Sequence, residues 1–289
     1  MTREFTYQWL PDEEDGPILK ITKSSLGTFG FCPASYRMSY DPFNEGKIPQ
    51  VTSEAMLRGT IVHDAQETFW KMVDTDKSIQ YIDDPNALVK HFRELYPQSE
   101  CDVTQDIYRS MSAWSAERFL ECVEEGAIDN FIPAGNEIKL DAQFTLDGVR
   151  IHLQGIIDRI FLDKDGYIPL ELKTGLWKDT GSKKTLMRKE MAFYQLLFEE
   201  ATVETLEKAG LDPSIGVTHW GWFFPASNYV YVEEVKTRSM TAVLNSMRKL
   251  IKAYIEADFP YAFFIKKCVH CGHYGHCEAA QEDNNYDWF

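Results

Sequence analysis

From Glu137 onward, apolar residues alternate with polar ones: Ile138, Leu140, Ala142, Phe144 and Leu146 precede an Asp147-Gly148 pair, and Val149, Ile151 and Leu153 follow it. Period-two alternation predicts half-buried strands, and Asp-Gly between two such runs predicts a tight hairpin. The second run continues from Gln154 to Leu162 with apolar residues on both faces, the pattern of a strand covered on both sides. Asp163-Lys164-Asp165-Gly166 then predicts a turn into a third strand, Tyr167 to Lys173. A helix is expected from about Lys184 to Ala209, then a strand from Gly216 to Phe224. A hairpin partner from Tyr229 to Val235 and a last helix from Met240 to Ala257 follow.

Upstream of Glu137 the period is helical. Ser24 and Ser25 are placed to cap a short helix running toward Cys32, with Tyr36, Met38 and Tyr40 as an aromatic-rich exit. Helices are predicted from about Ser53 to Val73, Pro85 to Tyr96 and Asp102 to Glu125, the last carrying Trp114, Phe119 and Leu120. Asp74, Asp76, Asp83 and Asp84 mark an exposed linker among them. The order helix, three strands, helix, two strands, helix predicts an α/β or α+β core in which helices flank one central mixed sheet. Residues 1–289 read as a single domain, with an N-terminal segment at 18–50 and a first core helix at 53–73. A helical insertion at 74–130, a core sheet and helix at 137–237, and a last helix with a cysteine tail at 239–289 complete it.

Composition narrows the setting. With 44% hydrophobic and 26% charged residues the chain has the balance of a globular enzyme. Met1 to Gly16 offers no apolar run for a signal peptide, and no later stretch approaches a membrane span. An intracellular, cytoplasmic and reducing location is therefore expected, in which the six cysteines stay unpaired and Cys101 and Cys122 read as helix-core thiols. A net charge of −15 argues against indiscriminate binding to nucleic acid. Any DNA contact must be local, and Lys173, Lys178, Lys183, Lys184, Arg188 and Lys189, set against Asp179, form the candidate strip. No G-x-x-x-x-G-K-[ST] loop is present, which excludes an ATP-driven motor of that type within these residues.

Three constellations carry chemistry. Asp158 lies in the doubly apolar strand, and Glu171 and Lys173 share a face of the next one. A carboxylate pair from adjacent strands suits a hard divalent cation, and charge placed in apolar strands is costly unless ions or partners compensate it. On the first long helix Gly59, His63 and Glu67 recur every fourth residue, with Arg58 beside them; a glycine inside a helix predicts a close approach of backbone or ligand. Cys32, followed by Pro33, and Cys268, Cys271 and Cys277 in C-x2-C-x5-C spacing predict a metal site that joins both ends of the chain.

Taken together, Gly59-x-x-x-His63-x-x-x-Glu67, Gly155-x-x-Asp158, Glu171-x-Lys173 and a following helix with Tyr194 resemble the motifs of the RecB-like branch of PD-(D/E)XK nucleases. The cysteines resemble the iron–sulfur clasp of CRISPR-adaptation-associated exonucleases, the AddB nuclease domain and small phage exonucleases. One position departs from the pattern: Glu190 stands where that family carries glutamine, four residues before Tyr194.

The resemblance implies a restriction-endonuclease-like core and a Mg²⁺- or Mn²⁺-dependent DNA exonuclease acting on single strands or frayed ends. It favours 5′ to 3′ polarity and a role in recombination, replication or end processing of cellular or phage DNA. His63, Asp158, Glu171 and the Leu172 carbonyl would hold the cation, and Lys173 would orient and acidify the attacking water. Tyr194, Arg58, Lys178, Lys183, Lys184, Arg188 and Lys189 would steer the strand; Trp177 would stack on bases, and Phe193 would do so or pack in the core. For the cysteines a 4Fe-4S cluster is favoured by the remote Cys32 and the x2, x5 spacing. Zn²⁺ stands as the alternative, with His270, His273 and His276 as neighbouring imidazoles. The acidic, aromatic end from Glu282 to Phe289 resembles partner-docking tips of single-strand-binding proteins, a recombination partner being another candidate. A nuclease-like scaffold that binds DNA ends without cutting, and an endonuclease using the same residues, remain the alternative functions.

Overall fold

The computed structural model describes residues 9–10, 18–40, 53–262 and 264–283. The acidic, aromatic C-terminal end from Asn284 onward lies outside them. Two compact units divide the chain, one of Met1–Ser53, Asp141–Gly155 and Thr237–Phe289, the other of Glu54–Leu140 and Ile156–Lys236.

In the first unit, β1 (Trp9–Leu10) pairs antiparallel with β2 (Ile18–Thr22), and β2 pairs parallel with the start of β4 (Val149–Asp163), Leu19 lying opposite Ile151 and Ile21 opposite Leu153. Periodicity does not reveal β2, because five residues are too few to display a period. Thr22 then starts α1 (Lys23–Phe31). Its hydroxyl accepts from the Ser25 amide while the Ser25 hydroxyl accepts from the Thr22 amide, so Thr22 is the cap and Ser25 its reciprocal partner. The aromatic exit after Cys32 is a second helix, α2 (Pro33–Tyr40), opened by Pro33 at a position where its missing N–H costs nothing. Tyr36 of α2 is fully buried; its hydroxyl lies 3.0 Å from that of Tyr254 on α9 (Thr237–Glu256), and its ring stacks on Phe259. The C-terminal segment holds α10 (Ile265–Cys268) and α11 (Glu278–Asp283).

In the second unit the long α3 (Glu54–Met72) is followed by α4 (Thr75–Ser78), α5 (Pro85–Glu94) and α6 (Asp102–Glu124). The expected acidic linker is largely helical, and two of its aspartates have a structural task. Asp74 caps α4 through the Lys77 amide, and Asp84 caps α5 through the Asn86 and Ala87 amides. Phe69, Trp70, Phe92, Tyr96, Phe119 and Phe131 interlock as stacked and edge-on rings, joined by Phe161, Leu170, Leu172 and Phe223 from the strands. The helical insertion is thus fastened to one face of the sheet by a continuous aromatic core, each ring contributing on the order of 2–3 kcal/mol by burial. Cys122 is buried in α6 as expected, but Cys101 is exposed at the start of that helix.

β3 (Gly135–Leu146) pairs with β4 across the predicted hairpin, with Asp147 at φ 51° and Gly148 at φ 80°, the left-handed pair that a two-residue turn requires. β5 (Gly166–Leu172) runs antiparallel to β4, β6 (His219–Phe224) parallel to β5, and β7 (Tyr229–Glu234) antiparallel to β6. The sheet is therefore mixed, as expected, with helices against it. Gly166 opens β5 at φ 145°, where an added Cβ would lie 2.6 Å from the Gly216 carbonyl, so only glycine fits. The long helix expected to reach Ala209 is instead two: α7 (Gly181–Glu200) and α8 (Val203–Lys208). Ala201 is extended, and the Thr202 hydroxyl accepts from the Thr205 amide, starting a new helix.

Candidate functional site

Cross-strand register brings the carboxylates together. Arg159 pairs with Leu170 in the antiparallel β4–β5 ladder, so Asp158 falls opposite Glu171 and both point to the same face. Asp158 is 7% and Glu171 5% exposed, which commits both to a common buried corner. The Leu172 amide donates to Asp158 Oδ2 at 2.8 Å and fixes that oxygen. His63, on α3, places Nδ1 3.6 Å from the same oxygen and 3.8 Å from Glu137 Oε1. The donor atoms of His63, Glu137 and Asp158 all lie within 4.8 Å of one another, as the ligands of one cation do.

Glu137 is not among the ligands the sequence predicts. Periodicity gives it only as the first residue of a strand, yet its backbone sits at φ 51°, a left-handed conformation that costs a non-glycine residue about 1–3 kcal/mol. No local sequence signal announces such a twist. His63 has a raised pKa: burial opposes the imidazolium, but the neighbouring carboxylates of Glu137 and Asp158 outweigh it.

Glu171, expected as a cation ligand, faces the same corner as Asp158 and shares one of its oxygens with Lys173. Lys173 Nζ donates to Glu171 Oε1 at 3.0 Å and to Glu190 Oε2 at 2.7 Å. Burial alone would depress the Lys173 pKa, but the two carboxylates hold it well above the ordinary lysine range, so the side chain is an ammonium at neutral pH. Tyr194 is 1% exposed and also hydrogen-bonds Glu171; burial beside these carboxylates drives its hydroxyl pKa far upward. Tyr194, expected to help steer the strand, is enclosed in α7 and reaches Glu171 instead of an open surface. Phe193, 1% exposed, packs in the core and cannot stack on a base.

The departure at Glu190 now has a physical meaning, because its charge is spent on Lys173. Removing it leaves the ammonium on Glu171 and takes one negative charge away from a polyanionic substrate. Glu190→Gln is expected to lower KM for DNA about fivefold, the equivalent of about 1 kcal/mol for one charge at contact range in a wet site. A slower reaction with unchanged KM would show that the carboxylate is required.

Arg159 is another residue the sequence does not reveal. It is fully buried, follows Asp158 on the strand and so faces the opposite side of the sheet. None of its three guanidinium nitrogens has a hydrogen-bond partner among the described residues. Its charge is nevertheless felt by Asp158, Glu137 and Glu171, helping to offset the crowding of three carboxylates.

The basic strip is partly committed to internal pairs. Lys183 Nζ donates to the Leu176 carbonyl at 2.8 Å and lies over the Phe224 and Trp177 rings at 4.7 and 5.3 Å. Lys184 pairs with Asp179 at 2.8 Å. Lys178 is exposed, whereas Arg58 and Lys189 are half-buried. Arg188 grips Glu233 with two donors at 2.6 and 2.7 Å, which corrects its expected role as an open DNA contact. Burial opposes ionisation of Glu233, but Arg188, Lys236 and Tyr231 overcome it and hold the carboxyl at about 2, against an ordinary 4.5. A depressed carboxyl pKa stabilises the fold above the unfolded value, and that contribution disappears as pH falls from about 4.5 to 2. Thermal melts across this window are expected to fall more steeply for the wild type than for Glu233→Gln; parallel curves would remove the ion pair from the stability account.

Of the two approaches expected at Gly59, that of another stretch of backbone is not found among the described residues. An added Cβ would meet nothing nearer than Thr174 Oγ1 at 3.9 Å, so the position has room for a methyl group. Glu67 is ion-paired with Lys71 one turn on, while its carbonyl accepts from Asn136 Nδ2 beside Glu137.

In the first unit, Cys32, Cys268, Cys271 and Cys277 line a single cavity together with Ser35 and His273. Two of the sulfurs accept backbone hydrogen bonds, Cys32 from Ala262 at 3.4 Å and Cys268 from Phe264 at 3.3 Å, as thiolate ligands do. His273 is 1% exposed and burial lowers its pKa.

Residues 20–278 match the family model of the PD-(D/E)XK nuclease superfamily. The chain belongs to the PD-(D/E)XK nuclease superfamily. That superfamily is generally one of metal-dependent nucleases acting on DNA, and His63, Glu137 and Asp158 give this member a candidate cation site. The crystal structure of SSO0001 is similar over 78% of this PD-(D/E)XK chain and 97% of its own, at 16% identity and a TM-score of 0.35. A search of curated proteins found no match. Among the described residues, no helix of this superfamily member is long and apolar enough to cross a membrane.

Proposed function

We propose that this chain is a Mg²⁺- or Mn²⁺-dependent deoxyribonuclease of the RecB-like kind, an exonuclease working 5′ to 3′ on single-stranded or frayed-end DNA inside the cell, in recombination, replication or end processing. The observation that carries it is the convergence of His63, Glu137 and Asp158 within 4.8 Å, beside an ammonium anchored between Glu171 and Glu190. Two carboxylates and an imidazole suit a divalent cation, which supplies Lewis-acid neutralisation of the phosphate under attack. Asp158, held by the Leu172 amide, presents an oxygen that need not reorganise, and Glu137 adds a second carboxylate beside it. Lys173 is protonated, so it orients the nucleophilic water and meets negative charge developing at phosphorus; it does not abstract the proton. Tyr194 keeps Glu171 aimed at that ammonium. Leu172 already serves through its amide, and its carbonyl adds a further oxygen at the same corner.

The four cysteines are proposed to bind a 4Fe-4S cluster. They fit: four thiols line one cavity, and two already accept amide hydrogens. The remote Cys32 and the x2, x5 spacing of Cys268, Cys271 and Cys277 favour a cluster over a single Zn²⁺. End-labelled linear single strands with Mn²⁺ are expected to be degraded while closed circular DNA survives. Cleavage of the circle would make the enzyme an endonuclease; binding of linear DNA without cleavage under either metal would leave the end-binding scaffold.

A further inference from the structure

His273 lines the same cavity as the four cysteine thiols. Its Nε2 lies 2.8 Å from Ser39 Oγ. The single hydrogen of that hydroxyl is already given to the Ser35 carbonyl, at 2.9 Å. Ser39 must therefore accept from the ring, which places the imidazole proton on Nε2 and leaves a lone pair on Nδ1. Nδ1 is buried and has no hydrogen-bond partner among the described residues, in a side chain only 1% exposed. A buried acceptor with nothing to accept is unfavourable, and a neutral ring whose other nitrogen is tied by a hydrogen bond is the usual state of a ligating histidine.

We propose that His273 Nδ1 joins the cysteine thiolates of this cavity as a direct metal ligand, so that the site offers five donors to a group that needs four. The proposal rests on the reading of the cysteine cavity as a metal site. The chain Nε2–H to Ser39 to the Ser35 carbonyl, on α2, locks the ring as a hydrogen-bond relay locks a ligand in place. Substitution of a neutral imidazole for one thiolate makes the cluster less negative, which raises its reduction potential. His270 and His276 flank the same segment but carry no such relay in the described hydrogen bonds, and they serve as controls.

Anaerobically purified full-length protein, with histidine either unlabelled or ¹⁵N-labelled, tests this by pulsed electron paramagnetic resonance of the reduced cluster. A nitrogen hyperfine coupling that changes with the label, persists in His270→Ala and His276→Ala and vanishes in His273→Ala supports the ligand. A fully iron-loaded wild type without histidine coupling overturns it, and because that measurement needs no variant, misfolding of His273→Ala cannot obscure the answer. If the protein carries Zn²⁺, replacement by Co²⁺ decides: thiolate charge-transfer intensity for three sulfurs supports the proposal, and intensity for four overturns it. Protein that takes up neither iron, zinc nor cobalt, with Cys32, Cys268, Cys271 and Cys277 all freely titrating beside the exposed Cys101, refutes the metal site itself and is thereby distinguishable from failure of the histidine alone.

Discussion

Asp158→Ala is expected to reduce metal-dependent cleavage of end-labelled DNA by about 10³-fold, the loss of about 4 kcal/mol of transition-state stabilisation at 1.36 kcal/mol per factor of ten. The residue stands at the crossing of every interaction in the site. One of its oxygens accepts the Leu172 amide and faces His63, and across the ladder it opposes Glu171. Without it, His63 and Glu137 offer only two side-chain donors, too few to hold a divalent cation tightly against water. Stability changes little by comparison, since relief of carboxylate crowding offsets the Leu172 amide left without its acceptor. Asp158→Asn keeps an acceptor for that amide but not the charge, so equal inactivity in both variants, at similar melting temperatures, assigns the effect to charge. Wild-type rates in either variant would dissolve the active-site assignment.

How far this site is legible in the sequence depends on whether its signal is local. Asp158, Glu171 and Lys173 announce themselves as charge in apolar strands, and the strand turn at Asp163–Gly166 sets them side by side. His63 stands out because a helix repeats every fourth residue. Glu137 and Arg159 are hidden for different reasons. Glu137 depends on one left-handed backbone angle, and Arg159 resembles any charged residue next to an aspartate until its complete burial is known. Cap chemistry accounts for the misplaced boundaries: Thr202 divides one expected helix in two, and Asp74 and Asp84 turn an apparent linker into helix starts. Charge partners are equally beyond periodicity, and Arg188 reads as a DNA contact because Glu233, 45 residues away, gives no sign that the two meet.

The other large effect concerns stability. Removal of the metal group from the cysteines, or Cys32→Ala, is expected to lower unfolding free energy by about 3–5 kcal/mol, because a link between Cys32 and the tail closes a loop of more than two hundred residues. The entropic stabilisation of loops that long approaches ~5 kcal/mol. The loss is partial because the ends also meet through ordinary packing: Tyr36 bonds Tyr254 and stacks on Phe259, and Lys267 donates to the Phe31 carbonyl. The metal-free protein should therefore keep the helical signal of α1 and α2 at low temperature but unfold earlier in urea. Cleavage should fall only as far as the fold loosens, since His63, Glu137, Asp158 and Lys173 all belong to the other unit. That separation makes the two predictions independent: Asp158→Ala removes activity and leaves the melt, whereas Cys32→Ala lowers the melt first. Identical urea midpoints for loaded and metal-free protein would mean that the cysteines close nothing, and that packing around Tyr36 alone holds the ends.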